Sequence, residues 1–168
     1  MRSWTTRSAR AVQKSEPVMT DSTPQVWVER IVPASPRTVF EAWLDPKALR
    51  HFMCPAPGTR VTRAESDPRV GGKFLIVMNV GGEDLPHRGE YLEITRYTRM
   101  VFTWLSVHAG EGSRVTLRFA ESPGGQTKVT LEHVGLPDAE VQAHHEGWCN
   151  ILKELAALLG TNSSRTSR

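Results

Sequence analysis

Between residues 60 and 134 the hydrophobic and polar positions alternate mostly with a period of two, and a helical period appears only on either side of that region. Gln25–Val32 (QVWVERIV) reads as a strand that ends at Pro33. Ser35 is a candidate helix N-cap with Pro36 at the first helical position, and Val39, Phe40 and Trp43 follow at helical spacing as far as Asp45-Pro46. A second short helix is predicted over Lys47–Phe52, after which Pro55-Ala56-Pro57-Gly58 breaks the chain. Strands are then predicted at Val61–Ser66, Lys73–Val80, Arg88–Thr95, Met100–Leu105, Arg114–Ala120 and Lys128–Val134.

The last two strands show the period most cleanly. Val115, Leu117 and Phe119 alternate with Arg114, Thr116 and Arg118, while Val129, Leu131 and His133 alternate with Lys128, Thr130 and Glu132. That pattern describes a sheet with one dry and one wet face. Short connections, among them the turn Ser122-Pro123-Gly124-Gly125, imply an antiparallel meander. Asp138 is expected to cap a final helix that runs to about Leu159 and stops at Gly160, a length of roughly 33 Å. Val141, His145, Trp148, Leu152, Leu155 and Leu159 form one stripe on it, which must lie on the dry face of the sheet. The fold class expected is therefore α+β, with six or seven antiparallel strands, two short helices after the first strand, and one long C-terminal helix.

Composition narrows the function classes. The chain has 168 residues, 39% of them hydrophobic, enough for one folded domain with a real core. Its net charge of +3 comes from the termini: residues 1–18 carry four basic side chains against Glu16, and two arginines follow Gly160. The stretch from Met19 to Gly160 holds 15 basic and 17 acidic residues of mixed order, which argues against a nucleic-acid-binding face. No apolar run reaches the roughly 20 residues of a membrane helix. Cys54 and Cys149 form no disulfide framework or C-x-x-C pattern and suit a reducing, cytoplasmic setting. Residues 1–23, Arg- and Ser-rich and without an apolar core, read as a disordered extension, a transit peptide being the alternative. Residues 161–168 read as a disordered tail.

The element order and six short words carry a resemblance. They are Val39-Phe40 with Ala42-Trp43 and Asp45-Pro46, Arg69-Val70-Gly71-Gly72-Lys73-Phe74, Gly89-Glu90-Tyr91-Leu92-Glu93-Ile94, Arg99 to Trp104 (RMVFTW), and His144 to Trp148 (HHEGW) followed by Leu152 and Leu155. Over residues 24–160 the chain resembles the START-like, helix-grip (SRPBCC) superfamily, and within it the homologues of the heat-shock protein 90 ATPase activator C-terminal domain. The resemblance implies a curved sheet wrapped round the C-terminal helix with an apolar cavity between them. The additional N-terminal domain of the family's namesake has no counterpart in the roughly 24 residues before the first strand.

Candidate cavity residues follow from that architecture. The first helix offers Phe40 and Trp43, and the strands offer Phe74, Ile76 and Met78 on one face, then Tyr91, Phe102 and Trp104. The final hairpin adds Leu117, Leu131 and His133, and the closing helix adds His144, His145, Trp148 and Leu152. For the tryptophans, plain core packing and a ligand platform both remain open. A half-buried His144 or His145 could orient a ligand's polar end or act as a general base near neutral pH; hydrogen bonding to a strand or to solvent is the bland alternative.

Other chemistry finds little support. Gly71-Gly72 leads into a strand, not a helix, so it is a bend or close backbone approach and no phosphate loop. His145/Cys149 and His51/Cys54 supply the donors of a tetrahedral zinc site only if the two pairs meet, and no metal or cofactor is expected. No nucleophile motif of the G-x-S-x-G or H-E-x-x-H kind is present, so catalysis is not the leading expectation. The leading reading is a cytosolic protein, monomer or homodimer, that binds a small apolar or amphipathic molecule. A chaperone-accessory module and a cavity-type lyase or cyclase are the alternatives.

Overall fold

The computed structural model describes residues 25–166. Strand β1 (Val26–Val32) is followed by helices α1 (Pro36–Ala42) and α2 (Pro46–Phe52). Six strands come next: β2 (Arg60–Ser66), β3 (Lys73–Val80), β4 (Glu83–Thr95), β5 (Arg99–Thr103), β6 (Arg114–Ser122) and β7 (Gln126–Val134). A 3-10 turn, Asp138–Glu140, leads into the long helix α3 (Val141–Thr166). The α+β class and the two short helices after β1 are as expected. The extension over residues 1–23 lies outside the described residues.

Local chemistry explains the first helices. The Ser35 side chain accepts from the Thr38 amide at 3.2 Å, and Pro36 lacks the N–H that the first helical position would leave unpaired. Asp45, expected to lie at the end of the first helix, instead opens the second: its Oδ1 accepts from Lys47 N at 2.9 Å, so α2 begins at Pro46.

All seven strands form one antiparallel sheet in the order β1-β7-β6-β5-β4-β3-β2. The chain leaves one edge after β1, crosses through α1 and α2 to the other edge, and meanders back until β7 pairs with β1. The register lines up Val28, Leu131, Leu117 and Met100 in a single row across four strands. All four are buried, and with Leu152 and Leu155 of α3 they belong to one apolar core. Each fully buried aliphatic side chain of this kind contributes about 1.5–3 kcal/mol. The opposite face of the final hairpin is wet and carries the Arg118–Glu132 ion pair.

The sheet differs from the expected one in its middle. β4 begins at Glu83, not Arg88, because the Gly81-Gly82 turn joins it directly to β3 and pairs Val80 with Glu83. Pro86 and three charged or polar neighbours hid this half of the strand. Gly71-Gly72 is a close approach: Gly71 has φ 86°, its amide donates to the Tyr91 carbonyl at 2.8 Å, and the Tyr91 amide donates to Gly72 O at 2.9 Å.

The last helix also departs from expectation at both ends. Asp138 sits inside the 3-10 turn and makes no side-chain capping bond, so α3 starts at Val141. Gly160 does not stop it. The helix continues to Thr166, and Gly160 sits where an added Cβ would stand 3.1 Å from Pro33 Cγ, so its smallness admits the β1–α1 connection. No described helix is long and apolar enough to cross a membrane.

Candidate functional site

Between the concave face of the sheet and the N-terminal half of α3 lies a cavity of about 280 Å3. Met78 and Val80 of β3, Leu85 and His87 of β4 and Trp104 beyond β5 form one wall. Ala143, Gly147, Trp148 and Ile151 of α3 form the other, with Pro55 at the side. The period of two aims these strand residues inward, while helical steps of three and four aim the α3 residues toward them. Gly147 has a packing role here: a Cβ on it would stand 3.2 Å from Pro55 Cβ, so glycine lets the α2–β2 connection close against the helix.

Three imidazoles and one carboxylate interrupt this apolar lining. His87 is buried, its Nδ1 lies 3.0 Å from the Leu85 carbonyl, and its ring centroid is 5.1 Å from Trp104. Burial, more than any neighbouring charge, lowers its pKa from 6.5 to about 4, so it is neutral at physiological pH. His144 places Nδ1 2.9 Å from the Glu140 carbonyl. In the neutral ring that bond puts the proton on Nδ1 and leaves Nε2 as an acceptor. At the rim, His108 Nδ1 faces Glu140 Oε1 at 3.5 Å, joining the β5–β6 connection to the turn before α3.

Behind the cavity wall runs a second polar chain. Trp148 Nε1 donates to His133 Nδ1 at 3.0 Å, and His133 Nε2 lies within hydrogen-bond distance of Ser113 Oγ. An indole can only donate, so Nδ1 carries the lone pair and the His133 proton sits on Nε2, directed at Ser113. Burial, assisted by His144, lowers the His133 pKa from 6.5 to about 3. The indole N–H groups of Trp43 and Trp104 have no such partner, although both are buried. This contrast carries a prediction. Trp148→Phe strands the His133 acceptor, whereas Trp104→Phe removes a donor that was already unpaired. In urea unfolding Trp148→Phe should cost about 2 kcal/mol more than Trp104→Phe, since both changes delete the same atoms and only one leaves a buried group unsatisfied. Equal losses would refute the pairing argument.

The expected cavity residues divide among five places. Met78, Trp104, His144 and Trp148 line the cavity. Trp43, Phe74, Ile76, Tyr91 and Phe102 surround a void of about 10 Å3 deeper in the core, room for about one water, with Trp104 between the two spaces. Phe40 borders a separate groove of about 300 Å3 beside Glu41, Asp45 and Arg96, too polar to resemble the first. Leu117, Leu131, His133 and Leu152 are completely buried packing residues. His145 does not reach the cavity; it is half-buried with both ring nitrogens 4.0 Å from Cys149 Sγ. Among the described residues no group of three or more His, Cys, Asp and Glu is placed to hold a metal ion, so the two His/Cys pairs do not converge.

Three polar residues and one close-packed glycine of the site were not among the expected ones: His87, His108, Glu140 and Gly147. His87 was recoverable, because counting back by twos from Tyr91 through Gly89 places it on the inner face. His108 and Glu140 lie in connections where no periodicity applies.

Comparison with known proteins agrees with this geometry. Residues 33–160 match the model of the family described as activator of Hsp90 ATPase homolog 1-like protein (AHSA1). Among solved structures, protein CV1439 of Chromobacterium violaceum is 30% identical, with a TM-score of 0.72 over 79% of this chain and 94% of that one. PFC0360w of Plasmodium falciparum, described as an HSP90 activator, is 26% identical, with a TM-score of 0.62 over 80% and 94%. CalU16 of Micromonospora echinospora, at 22% identity and a TM-score of 0.62 over 83% and 78%, shares the fold. None of the curated proteins matches. A family match across most of the described residues, on a seven-stranded sheet gripping a C-terminal helix, leaves one assignment: the chain belongs to the activator of Hsp90 ATPase homolog 1-like family.

Proposed function

We propose that this protein binds a small apolar or amphipathic molecule in the cavity between β3–β4 and α3. The observation that carries this reading is the cavity itself: about 280 Å3, walled by Met78, Leu85, Trp104, Trp148 and Ile151, with polar groups gathered where His108 and Glu140 meet. A mostly apolar enclosure with a few placed polar groups is the usual form of a small-molecule site. Its volume of about 280 Å3 falls just below the usual range of about 300–1,000 Å3, which favours a compact ring system over a whole lipid. Cys54 and Cys149, both free thiols, fit action in a reducing, cytosolic setting.

Native mass spectrometry of protein purified from its own host tests the reading. A co-purified molecule of a few hundred daltons is expected, and Ala143→Phe, which fills the cavity from α3, should abolish it. A protein that is consistently empty, or an adduct that survives Ala143→Phe, would count against the cavity as the site.

A chaperone-accessory role is the second reading, supported by the family description and by the likeness to the Plasmodium HSP90 activator. It predicts that the purified protein changes the ATPase rate of an Hsp90 from the same host. An unchanged rate at saturating protein eliminates it.

A further inference from the structure

The polar end of the cavity has a definite sign. No lysine or arginine lines it, and its one formally charged wall residue is Glu140, whose side chain is 28% exposed. His87 is buried and neutral near pH 7, and His144 turns Nδ1 to the Glu140 carbonyl at 2.9 Å, a bond that in the neutral ring leaves Nε2 as an acceptor. Only His108, 3.5 Å from the Glu140 carboxylate, presents a donor, and that donor is already directed at Glu140. The indole N–H groups cannot serve either. Trp148 gives its proton to His133, and the Nε1 of Trp104 is buried in the wall.

The polar end is thus rich in acceptors and poor in available donors. An entering carboxylate would lose its water without gaining a counter-charge, and would lie beside Glu140. Burying such a group without a partner is strongly unfavourable. An ammonium or hydroxyl meets the reverse situation: the Glu140 carboxylate and the Nε2 of a neutral His144 can accept from it.

We propose that the cavity selects small, ring-sized apolar molecules whose polar end is a hydrogen-bond donor, an amine or an alcohol, and rejects those that end in a carboxylate. This rests on the cavity being the binding site and specifies what that site accepts. Glu140 is its selectivity-determining residue and His144 the second acceptor.

Four matched probes decide the matter: phenethylamine, phenethyl alcohol, phenylacetate and ethylbenzene, each of about ten non-hydrogen atoms and so within the cavity's capacity. Binding to the full-length protein near neutral pH is followed by calorimetry and by quenching of tryptophan fluorescence. The amine and the alcohol should each bind about tenfold or more tightly than phenylacetate, with ethylbenzene between them. Glu140→Gln keeps the shape and removes the charge; it should weaken the amine about tenfold, leave the alcohol within about threefold, and improve phenylacetate. Phenylacetate binding as well as the amine and alcohol, or a ranking untouched by Glu140→Gln, overturns the selectivity while leaving the binding site in place. If none of the four binds, or if binding persists in Ala143→Phe, the cavity reading falls and the selectivity with it. The ranking on the unmodified protein decides the question even if a variant misfolds.

Discussion

Lowering the pH from 8 to 5 is expected to remove about 4 kcal/mol of folding stability through His87 and His133 alone. Both have an ordinary pKa of 6.5 when the chain is unfolded, but burial holds them neutral in the folded protein down to about 4 and about 3. Below pH 6.5 the unfolded chain therefore takes up two protons that the folded chain refuses. Stability rises with pH wherever the unfolded state binds more protons, so the contribution is complete above about 6.5 and is lost as the pH falls toward the folded values. The slope between those limits is about 1.4 kcal/mol per pH unit for each group.

The interval above pH 5 isolates the histidines, because ordinary carboxyl groups remain mostly ionised there. Urea titrations at pH 8, 6 and 5 measure the effect, and His87→Gln should halve it to about 2 kcal/mol. Stability that stays level across this range would show that His87 and His133 are hydrated or already charged in the fold. The His133 component has a structural cause. A proton added to Nδ1 would face the Trp148 N–H at 3.0 Å, so charging this ring requires the Ser113–His133–Trp148 chain to break.

The second large effect is at Gly89. A methyl group there would lie well inside contact distance of the Thr103 carbonyl on β5 and of the Phe74 ring on β3. Thr103 O is backbone, and Phe74 is 6% exposed and wedged against Tyr91, Phe102 and Trp104, so neither can yield without moving a strand. Gly89→Ala should therefore cost about 3 kcal/mol or more, at the upper end for overpacking. Gly147→Ala is the comparison: its Cβ meets only Pro55 at 3.2 Å, and alanine gains about 1 kcal/mol of helix propensity, so the two effects nearly offset. Thermal melts that rank the two substitutions equally would refute this account of Gly89. Because Phe74 stacks toward Trp104, the Gly89 change should also deform the cavity wall and weaken any ligand that Ala143→Phe excludes.

Much of the architecture was legible because it rests on local periodicity. The alternation through Val115–Phe119 and Val129–His133 specified the dry face, and all six of those inward positions are buried. The stripe Trp148, Leu152, Leu155 and Leu159 specified which face of α3 meets the sheet. Boundaries were less legible wherever a residue's meaning depends on what lies across from it. Gly160 reads as a helix stop until Pro33 is seen beside it, and Glu83–His87 reads as a loop until β3 supplies its partner strand.

The site divides in the same way. Met78, Trp104, His144 and Trp148 were accessible to sequence reasoning, since inward-facing strand and helix positions near one end of the grip must enclose whatever space remains. His108 and Glu140, 32 positions apart (140 minus 108), meet only because the β5–β6 connection folds over the turn before α3. Periodicity, turn chemistry and apolar patterning are properties of neighbours along the chain, so the sequence by itself determined the strands, the meander and the gripping helix. The void between sheet and helix, the neutral histidines and the acceptor-lined rim depend on distances between residues far apart in sequence, and only the tertiary structure decided those.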